Sequence, residues 1–461
     1  MTNEHLPPDP SLVEPWKDTQ FGLLLLPVSP LLAGAFLLRG MWQTWRHYGQ
    51  EIVASVLNRG FALMAGWIII TSVLAADKQA AFLGMFNFLP FFAFFATAST
   101  FIKTPAQLRR IAWILVLGSV PVVIIGWGQL FWGWTGPVKL GAVINWPIQP
   151  LGNPPGRMAS VFDYANVLAS YFLVTFILGV GLWCESFFSL KSLMGVPEHR
   201  EMVRDPRDPR IVRTLNLRAA EEPSRAWQRL GFLSLTVLGN GVALILTNSR
   251  NAWAIACVAG IAFAVYLGWR SLVAAFSIAV GGVAWSAFGP DPVRLWLRNI
   301  VPAYFWARLT DELYPDRPLA SLRSTQWQFA WQMALDRPFT GWGLRNFTPA
   351  YEAKMQFWLG HPHNLFLMLA AETGIPGVLL LSGLVAWVLG HSIIRLRHWQ
   401  VPTSTHDNII PFQEDKLIFF TYLVAFTACT LFHILDVTIF DSRINIIGWL
   451  LLAAIWGVTR K

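Results

Sequence analysis

The chain has 461 residues, of which 54% are hydrophobic and only 13% are charged, and its formal net charge is +9. An ordinary soluble domain carries about 25% charged residues, so this composition excludes that class. The apolar runs are long enough to cross a bilayer and are continuous rather than alternating, which predicts transmembrane helices and not a β-barrel. Basic loops facing anionic lipid explain the positive net charge, so no nucleic-acid partner is expected.

We predict an all-α, polytopic membrane bundle of about eleven transmembrane helices, within a range of about ten to twelve. Residues 1–20 are polar and rich in proline and acid, which indicates no cleavable signal peptide. The predicted spans, in chain order, cover about residues 21–38, 52–76, 79–100, 111–130, 164–183, 231–247, 251–269, 271–288, 363–390, 417–438 and 443–459.

The orientation follows from the distribution of lysine and arginine, because cytoplasmic loops carry the excess of these residues. One alternate set of loops is basic, and the residues 184–230 within it are dense in arginine. These loops are predicted to be cytoplasmic, which places the N-terminus outside and the C-terminus inside. A further span near the N-terminus would place both termini inside.

This topology divides the chain into four parts. They are an N-terminal bundle (1–183), a basic cytoplasmic linker (184–230), a region with candidate chemistry (231–390) and C-terminal helices (391–461). Two external segments are long, 131–163 and 289–362. Within the second, the spacing of Trp327, Ala330, Trp331 and Ala334 predicts an amphipathic interfacial helix over 323–335.

His363 is the first candidate for chemistry. It lies at the predicted N-terminus of the ninth span, where the helix dipole disfavours imidazolium and keeps a neutral imidazole suited to a general base. A histidine that only caps an interfacial helix fits the same position. The residues alone do not distinguish His363 from its neighbour His361.

Two arginines are the next candidates. Arg250 follows Ser249 in a short polar break between two apolar runs, where a charge is expensive and a guanidinium suits phosphate. Contact with lipid headgroups is the alternative for Arg250. Arg323 opens the predicted amphipathic helix, and a solvated loop charge is the alternative there.

Gly374, Pro376 and Gly377 lie inside the ninth predicted span. Close packing of small residues explains them better than motion does. In a regular helix Gly374 would lie roughly 16 Å below His363, near the middle of the membrane. No nucleotide-binding or serine-hydrolase motif is present, and no metal-ligand spacing is evident, so neither a cofactor nor a metal is expected.

The chain resembles the O-antigen ligase and O-antigen polymerase superfamily at these residues. The family pattern is a His followed by a polar residue, nine further residues and Gly-x-x-Gly, which here is His363-Asn364, nine residues, and Gly374 to Gly377. Ser249-Arg250 matches the family's Ser-Arg at a junction of two spans. Arg323 matches a second arginine, before a helix and a turn at 338–343. The firm resemblance covers about residues 240–390.

The resemblance implies a multi-span glycosyltransferase of the C-type architecture in the bacterial inner membrane, with its active site on the periplasmic side. The implied donor is a glycan on undecaprenyl pyrophosphate, and the acceptor is lipid A-core or another carrier-linked glycan. By matched position, Arg250 and Arg323 would bind the pyrophosphate and His363 would activate the acceptor hydroxyl. Ser249, Asn364, Gly374 and Gly377 would support them. The family implies no metal and no cofactor.

The alternatives differ in acceptor or in class. A polymerase of the same superfamily would share the arginines and the histidine, and only its acceptor would differ. An inorganic-carbon transporter is another possibility, since relatives have been proposed to carry bicarbonate. No inverted repeat supports it. Membrane lipid is the remaining expected partner, and nothing in the sequence indicates an oligomeric state.

Overall fold

The computed structural model describes residues 6–194 (except 8 and 142), 223–310, 318–399 and 409–460. Over these ranges the chain forms α-helices and one short antiparallel hairpin, β1 (Val138–Leu140) with β2 (Ile144–Trp146). The α-helices are α1 Val13–Leu25, α2 Pro30–Ala54, α3 Val56–Val73, α4 Lys78–Met85, α5 Leu89–Phe101, α6 Pro105–Phe131, α7 Ala165–Met194, α8 Pro223–Leu246, α9 Arg250–Tyr266, α10 Arg270–Phe288, α11 Val293–Ile300, α12 Ala303–Leu309, α13 Arg323–Asp336, α14 Phe347–Met355, α15 Leu365–Arg397, α16 Ile409–Leu435 and α17 Ser442–Thr459.

The predicted fold class is confirmed. Within the described ranges, nine helical stretches are long and apolar enough to cross a membrane. They are α3, α4 with α5, α6, α7, α8, α10, α15, α16 and α17. The seventh predicted span corresponds to α9, a shorter apolar helix. The chain is therefore an all-α polytopic membrane protein.

The first predicted span, 21–38, is wrong as a single helix. α1 ends at Leu25 and α2 begins at Pro30, so the run is broken over four residues. Pro27 and Pro30 supply the reason, because proline cannot donate a backbone hydrogen bond within a helix but is suited to its first turn. Ser29 caps α2 by accepting from the amide of Leu32 at 3.3 Å.

Residues 9–11 do not lie where the predicted topology placed them relative to the other loops. Asp9 accepts a hydrogen bond from the Tyr48 hydroxyl, near the C-terminal end of α2. At the opposite end, the Ser29 hydroxyl donates to the carbonyl of Val143 in the β-hairpin. α1 and α2 therefore run antiparallel, and residues 9–11 lie on the side of the loop after α2. This relation agrees with the alternative in which a further span precedes that loop.

Both ends of the predicted linker 184–230 lie in helices. Residues 184–194 continue α7 and residues 223–230 begin α8, while 195–222 lie outside the described residues. Ion pairs join the C-terminal end of α7 to its neighbours. The Arg109 guanidinium of α6 pairs with the buried carboxylate of Glu185 on α7, and with Asp415 on α16 at 2.7 Å. Three helices are thus held together at this end.

The helix predicted over 323–335 is confirmed as α13, but its apolar stripe does not all face lipid. Ala330 and Ala334 are buried against the protein, whereas Trp331 is 48% exposed. α13 packs on α15, and Phe347 and Tyr351 of α14 complete this external cluster. Burial against α15 explains why small residues occupy one side of the helix.

α15 is broken at Gly374, which has φ 75° and ψ 171°. The estimate of its depth from a regular helix therefore does not apply. The backbone groups that the break frees find partners outside the helix. The carbonyl of Thr373 accepts from the Trp67 indole at 2.9 Å, and the amide of Ile375 donates to Pro338 at 2.7 Å. A broken helix is tolerated in a membrane protein when neighbours satisfy its backbone in this way.

The backbone around the break in α15 is hydrogen-bonded to the turn 338–343, which follows α13. The amides of Trp342 and Gly343 donate to the carbonyls of Ala371 and Glu372, each at 2.9 Å. A Cβ on Gly374 would lie 2.1 Å from the carbonyl oxygen of Phe339. The turn that follows the Arg323 helix is thus in backbone contact with the helix that follows His363.

Candidate functional site

His363 lies in the connection between α14 and α15, two residues before the helix. Its backbone has φ 53°, in the left-handed region that few non-glycine residues adopt. Asn364 is the N-cap, and its side-chain oxygen accepts from the amide of Leu367 at 3.0 Å. An N-cap of this kind satisfies a helix amide that has no partner inside the helix. The cap fixes the start of α15 directly beside His363.

His361 supports this backbone conformation. Its Nδ1 accepts a hydrogen bond from the backbone amide of His363 at 3.2 Å. An imidazole nitrogen that accepts carries no proton, so His361 is neutral with its proton on Nε2. Burial lowers the pKa of His361 to about 4, which keeps this form at neutral pH. His361 is therefore a positioning residue for His363.

Asp436 completes the pair at His363. Its Oδ1 lies 3.0 Å from His363 Nδ1 and 3.8 Å from His361 Nε2. Burial raises the pKa of Asp436, but the hydrogen bond from His363 and the nearby imidazoles lower it further, to well below its usual value. The carboxylate is therefore ionised and accepts the Nδ1 proton. In a neutral His363 this leaves the lone pair on Nε2, the arrangement that a general base requires.

Hydrogen bonds connect Asp436 to the turn that carries Arg250. The Asn166 amide of α7 donates to Asp436 Oδ2 and accepts from the Arg157 guanidinium. Arg157 Nε also donates to the carbonyl of Thr247 at 2.8 Å. That carbonyl belongs to the Thr247–Arg250 turn between α8 and α9. A continuous chain of contacts thus joins the turn of Arg250 to the ring of His363.

The turn itself is held at the end of α16. Asn251, the residue after Arg250, donates to the carbonyl of Phe432 at 2.9 Å, one turn before Asp436. Ser249 is buried at the N-cap of α9 and makes no capping bond with its side chain. Arg250 is the first residue of that helix, where amides face outward and favour an anion.

Arg323 approaches the same region from the external layer. Its charge contributes to the pKa shifts of both His361 and Tyr164. The charges of Arg157 and Asp436 also contribute to the pKa shift of Tyr164. Burial raises the pKa of Tyr164, so its hydroxyl stays protonated. Arg323 is therefore near enough for its charge to act on His361 and Tyr164. Gly374 and Gly377 lie deeper in α15 and shape its path.

One cluster in the described ranges could hold a metal ion. One ligand atom each from His361, His363 and Asp436 lie within 4.8 Å of one another. Two imidazoles and a carboxylate suit a transition metal better than Mg²⁺ or Ca²⁺. The same atoms are already engaged with one another, because His363 donates to Asp436. The sequence showed no such cluster because 73 residues separate His363 from Asp436.

No site role is predicted from the sequence for Asp436, Asn166 or Tyr164, and Arg157 is covered only by the long external segment 131–163. One signal for Asp436 was present. It falls inside the predicted span 417–438, and an ionisable residue within a span is by default a candidate for function. Asn166 carried no comparable signal, because an amide at the start of a membrane helix is common.

Residues 235–382 match the family model described as O-antigen ligase. These residues are an O-antigen ligase family domain. The domain begins in α8, ends in α15 and covers about a third of the chain. It includes Arg250, Arg323 and His363. The match supports glycan transfer by a membrane ligase or polymerase, and it gives no support to inorganic-carbon transport.

The O-antigen ligase domain does not contain the whole candidate site. Asp436 follows it by more than fifty residues, and Arg157 and Asn166 precede it. No curated protein matches the chain. The helices on both sides of the domain thus supply residues that the family match does not include.

Proposed function

We propose that this protein transfers a glycan from undecaprenyl pyrophosphate to an acceptor hydroxyl on the periplasmic face of the inner membrane, as an O-antigen ligase does. The observation that carries the proposal is the His363–Asp436 pair, whose Nδ1 and Oδ1 atoms lie 3.0 Å apart. The neighbouring His361 is close enough to Arg323 for the arginine charge to act on it. The family domain supports glycan transfer in general. The pair supports a specific role for His363.

In the proposed reaction His363 Nε2 takes the proton of the acceptor hydroxyl. The oxygen of that hydroxyl attacks the anomeric carbon as the bond from that carbon to the pyrophosphate oxygen breaks. A single displacement inverts the anomeric configuration. General base catalysis of this kind contributes about 10²–10⁴-fold to a rate. Asp436 stabilises the imidazolium that forms and is a positioning residue.

Arg250 and Arg323 are proposed to bind the pyrophosphate, whose charge grows as it leaves. A planar guanidinium donates two parallel hydrogen bonds to phosphate, which a lysine cannot reproduce. Removing one such donor typically costs about 2.7–4 kcal/mol of transition-state stabilisation. The role of these arginines does not require a metal, because pyrophosphate is a good leaving group once its charge is stabilised.

The test is transfer by purified protein, given an undecaprenyl-pyrophosphate glycan and lipid A-core, in the presence of EDTA. We expect transfer by the wild type and a loss of at least about 100-fold in His363→Ala, as for removal of a general base. His391→Ala is the matched control, since His391 is exposed in the opposite half of α15. Full transfer by His363→Ala, or transfer that EDTA abolishes and zinc restores, contradicts the proposal.

The proposed role of Arg250 is tested by a variant and a matched control variant. Arg250→Lys keeps the charge but loses the planar fork, so we expect about 10²–10³-fold slower transfer. Arg270→Lys is the control, because Arg270 also begins a membrane helix, α10. A polymerase would use the same residues. Supplying a second carrier-linked glycan in place of lipid A-core distinguishes the two, since a polymerase lengthens it and a ligase does not.

A further inference from the structure

The short helix α11 has an apolar stripe that no described part of the protein covers. Val293, Trp296 and Ile300 are 45%, 62% and 59% exposed. Their spacing of three and four residues places them on one side of the helix. α11 also carries Arg294 and Arg298, which are partly buried and lie on a different side. The helix is therefore amphipathic, with its apolar side outward.

The cationic side of α11 is fixed to the protein. Arg298 Nε donates to the carbonyl of Ser286 at 2.9 Å, and its guanidinium lies 3.9 Å from the ring centroid of Trp306. Arg294 pairs only locally, with Asp291 three residues earlier, at 3.0 Å. The Arg298 contacts therefore set the rotation of the helix about its own axis. The apolar stripe cannot turn inward without breaking them.

The contact with Ser286 also sets the level of α11 relative to the membrane. α10 has 19 residues, a length of about 29 Å, which is close to the hydrocarbon thickness of about 30 Å. Ser286 lies in its last turn, so α11 lies at the end of a membrane-spanning helix. The exposed side chains of Trp285 and Phe288 continue the apolar surface of α10 toward α11.

We propose that α11 lies in the boundary between lipid headgroups and acyl chains, with Val293, Trp296 and Ile300 in lipid. The occupant of the stripe is the bilayer, because the stripe is continuous with the exposed surface of a membrane-spanning helix. Tryptophan is the side chain most favoured at this depth. The interfacial helix of the external loop is thus α11, whereas the small residues of α13 pack on protein.

This anchor has a structural consequence for the region around Arg250. α12 follows α11 directly, and its Tyr304 and Phe305 pack against Trp253, with ring centroids 5.4 and 5.6 Å apart. Trp253 lies one turn after Arg250 on α9. A helix held in the interface therefore restrains the segment that packs beside Arg250. The proposal itself does not depend on glycan transfer.

The test uses nitroxide labels on protein in vesicles of phosphatidylethanolamine and phosphatidylglycerol. The parent carries alanine at Cys184, Cys257 and Cys429, and one label is placed at Trp296→Cys, at Ile300→Cys or at Asn299→Cys. Asn299 is exposed on the same helix but lies off the stripe. We expect the ratio of oxygen to nickel-chelate accessibility to be severalfold higher at 296 and 300 than at 299.

Two results would overturn the proposal. Equal, nickel-favoured ratios at all three positions mean that the stripe faces water. Low accessibility to both reagents at 296 and 300 means that a second copy or another protein covers it. Each label is measured only on monodisperse protein. Because the stripe is labelled at two positions, the test still has a result if one of the two variants fails to fold. Loss of glycan transfer in a labelled variant has no bearing on either result.

Discussion

At the scale of single residues, the site depends on which nitrogen of His363 carries the proton. Asp436 determines this, because an ionised carboxylate 3.0 Å from Nδ1 must accept a hydrogen there. A glutamine or asparagine amide can fill the same space but can also donate, and it carries no charge. The proposed function of His363 therefore depends on a residue outside the matched domain.

Asp436→Asn is expected to lower kcat by at least about 100-fold, because the imidazolium loses its counter-charge and the tautomer is no longer enforced. The KM for the donor should change little, since Asp436 does not face the pyrophosphate in the proposal. Asp291→Asn is the control, as Asp291 is an exposed carboxylate of the external loop. Steady-state transfer kinetics would measure both constants. An unchanged kcat in Asp436→Asn would remove Asp436 from the reaction.

His361 acts through the backbone of its neighbour. His361→Ala leaves the amide of His363 without its acceptor, so we expect a lower kcat with little change in the KM of either substrate. His361→Asn should recover part of the activity, because an amide oxygen can replace Nδ1 as the acceptor. The burial that lowers the pKa of His361 to about 4 implies that its protonation does not limit activity near neutral pH. Equal activities of the two variants would exclude the positioning role.

At the scale of elements, the break in α15 allows the turn after α13 to contact the helix that carries the site. Gly374 has a backbone conformation that is essentially restricted to glycine, and its position against Phe339 leaves no room for a side chain. The packing function that the sequence suggested for this glycine is a backbone-to-backbone contact.

Gly374→Ala is expected to destabilise the protein by at least about 1–3 kcal/mol, from the backbone strain alone. Gly383→Ala is the matched control. Gly383 lies in the same helix, and a Cβ there would meet nothing within 4 Å. Its replacement should leave stability unchanged or raise it by up to about 1 kcal/mol. Thermal unfolding in detergent would compare them, and similar midpoints for the two variants would contradict the contact.

Local patterns in the sequence were sufficient for part of this site. His363 with its spacing to Gly374, and Arg250 in a polar break, are recognisable within a dozen residues. Asp436 was not, because its relation to His363 exists only after α16 and α17 have packed. The break between α1 and α2 was readable from Pro27 and Pro30, but the hydrophobic run around them dominated the prediction.

At the scale of the whole molecule, the candidate site combines helices that come before and after residues 195–222 in the chain. Asn166 of α7 comes before it, whereas Arg250, His363 and Asp436 come after it. The two sides are packed together within the membrane region. Trp183 on α7 donates to Ser234 on α8 at 2.8 Å.

A further polar contact joins the same two helices at depth. The hydroxyl of Thr175 on α7 donates to Asn240 on α8 at 3.0 Å, and the Asn240 amide donates to Ser119 on α6 at 2.9 Å. These three residues are buried. Because buried polar groups depend on their partners, the association of α6, α7 and α8 does not depend on the covalent connection alone.

Cleavage within 195–222 should therefore leave a functional complex. A protease site inserted there, and cut after purification, is expected to give two fragments that migrate together on size exclusion in mild detergent. Transfer activity should stay within about twofold of the uncut protein, because helix packing and not the linker positions Asn166 beside Asp436. The control is the wild type treated with the same protease. Fragments that separate, or activity that falls by tenfold while they stay together, would show that the connection itself positions the site.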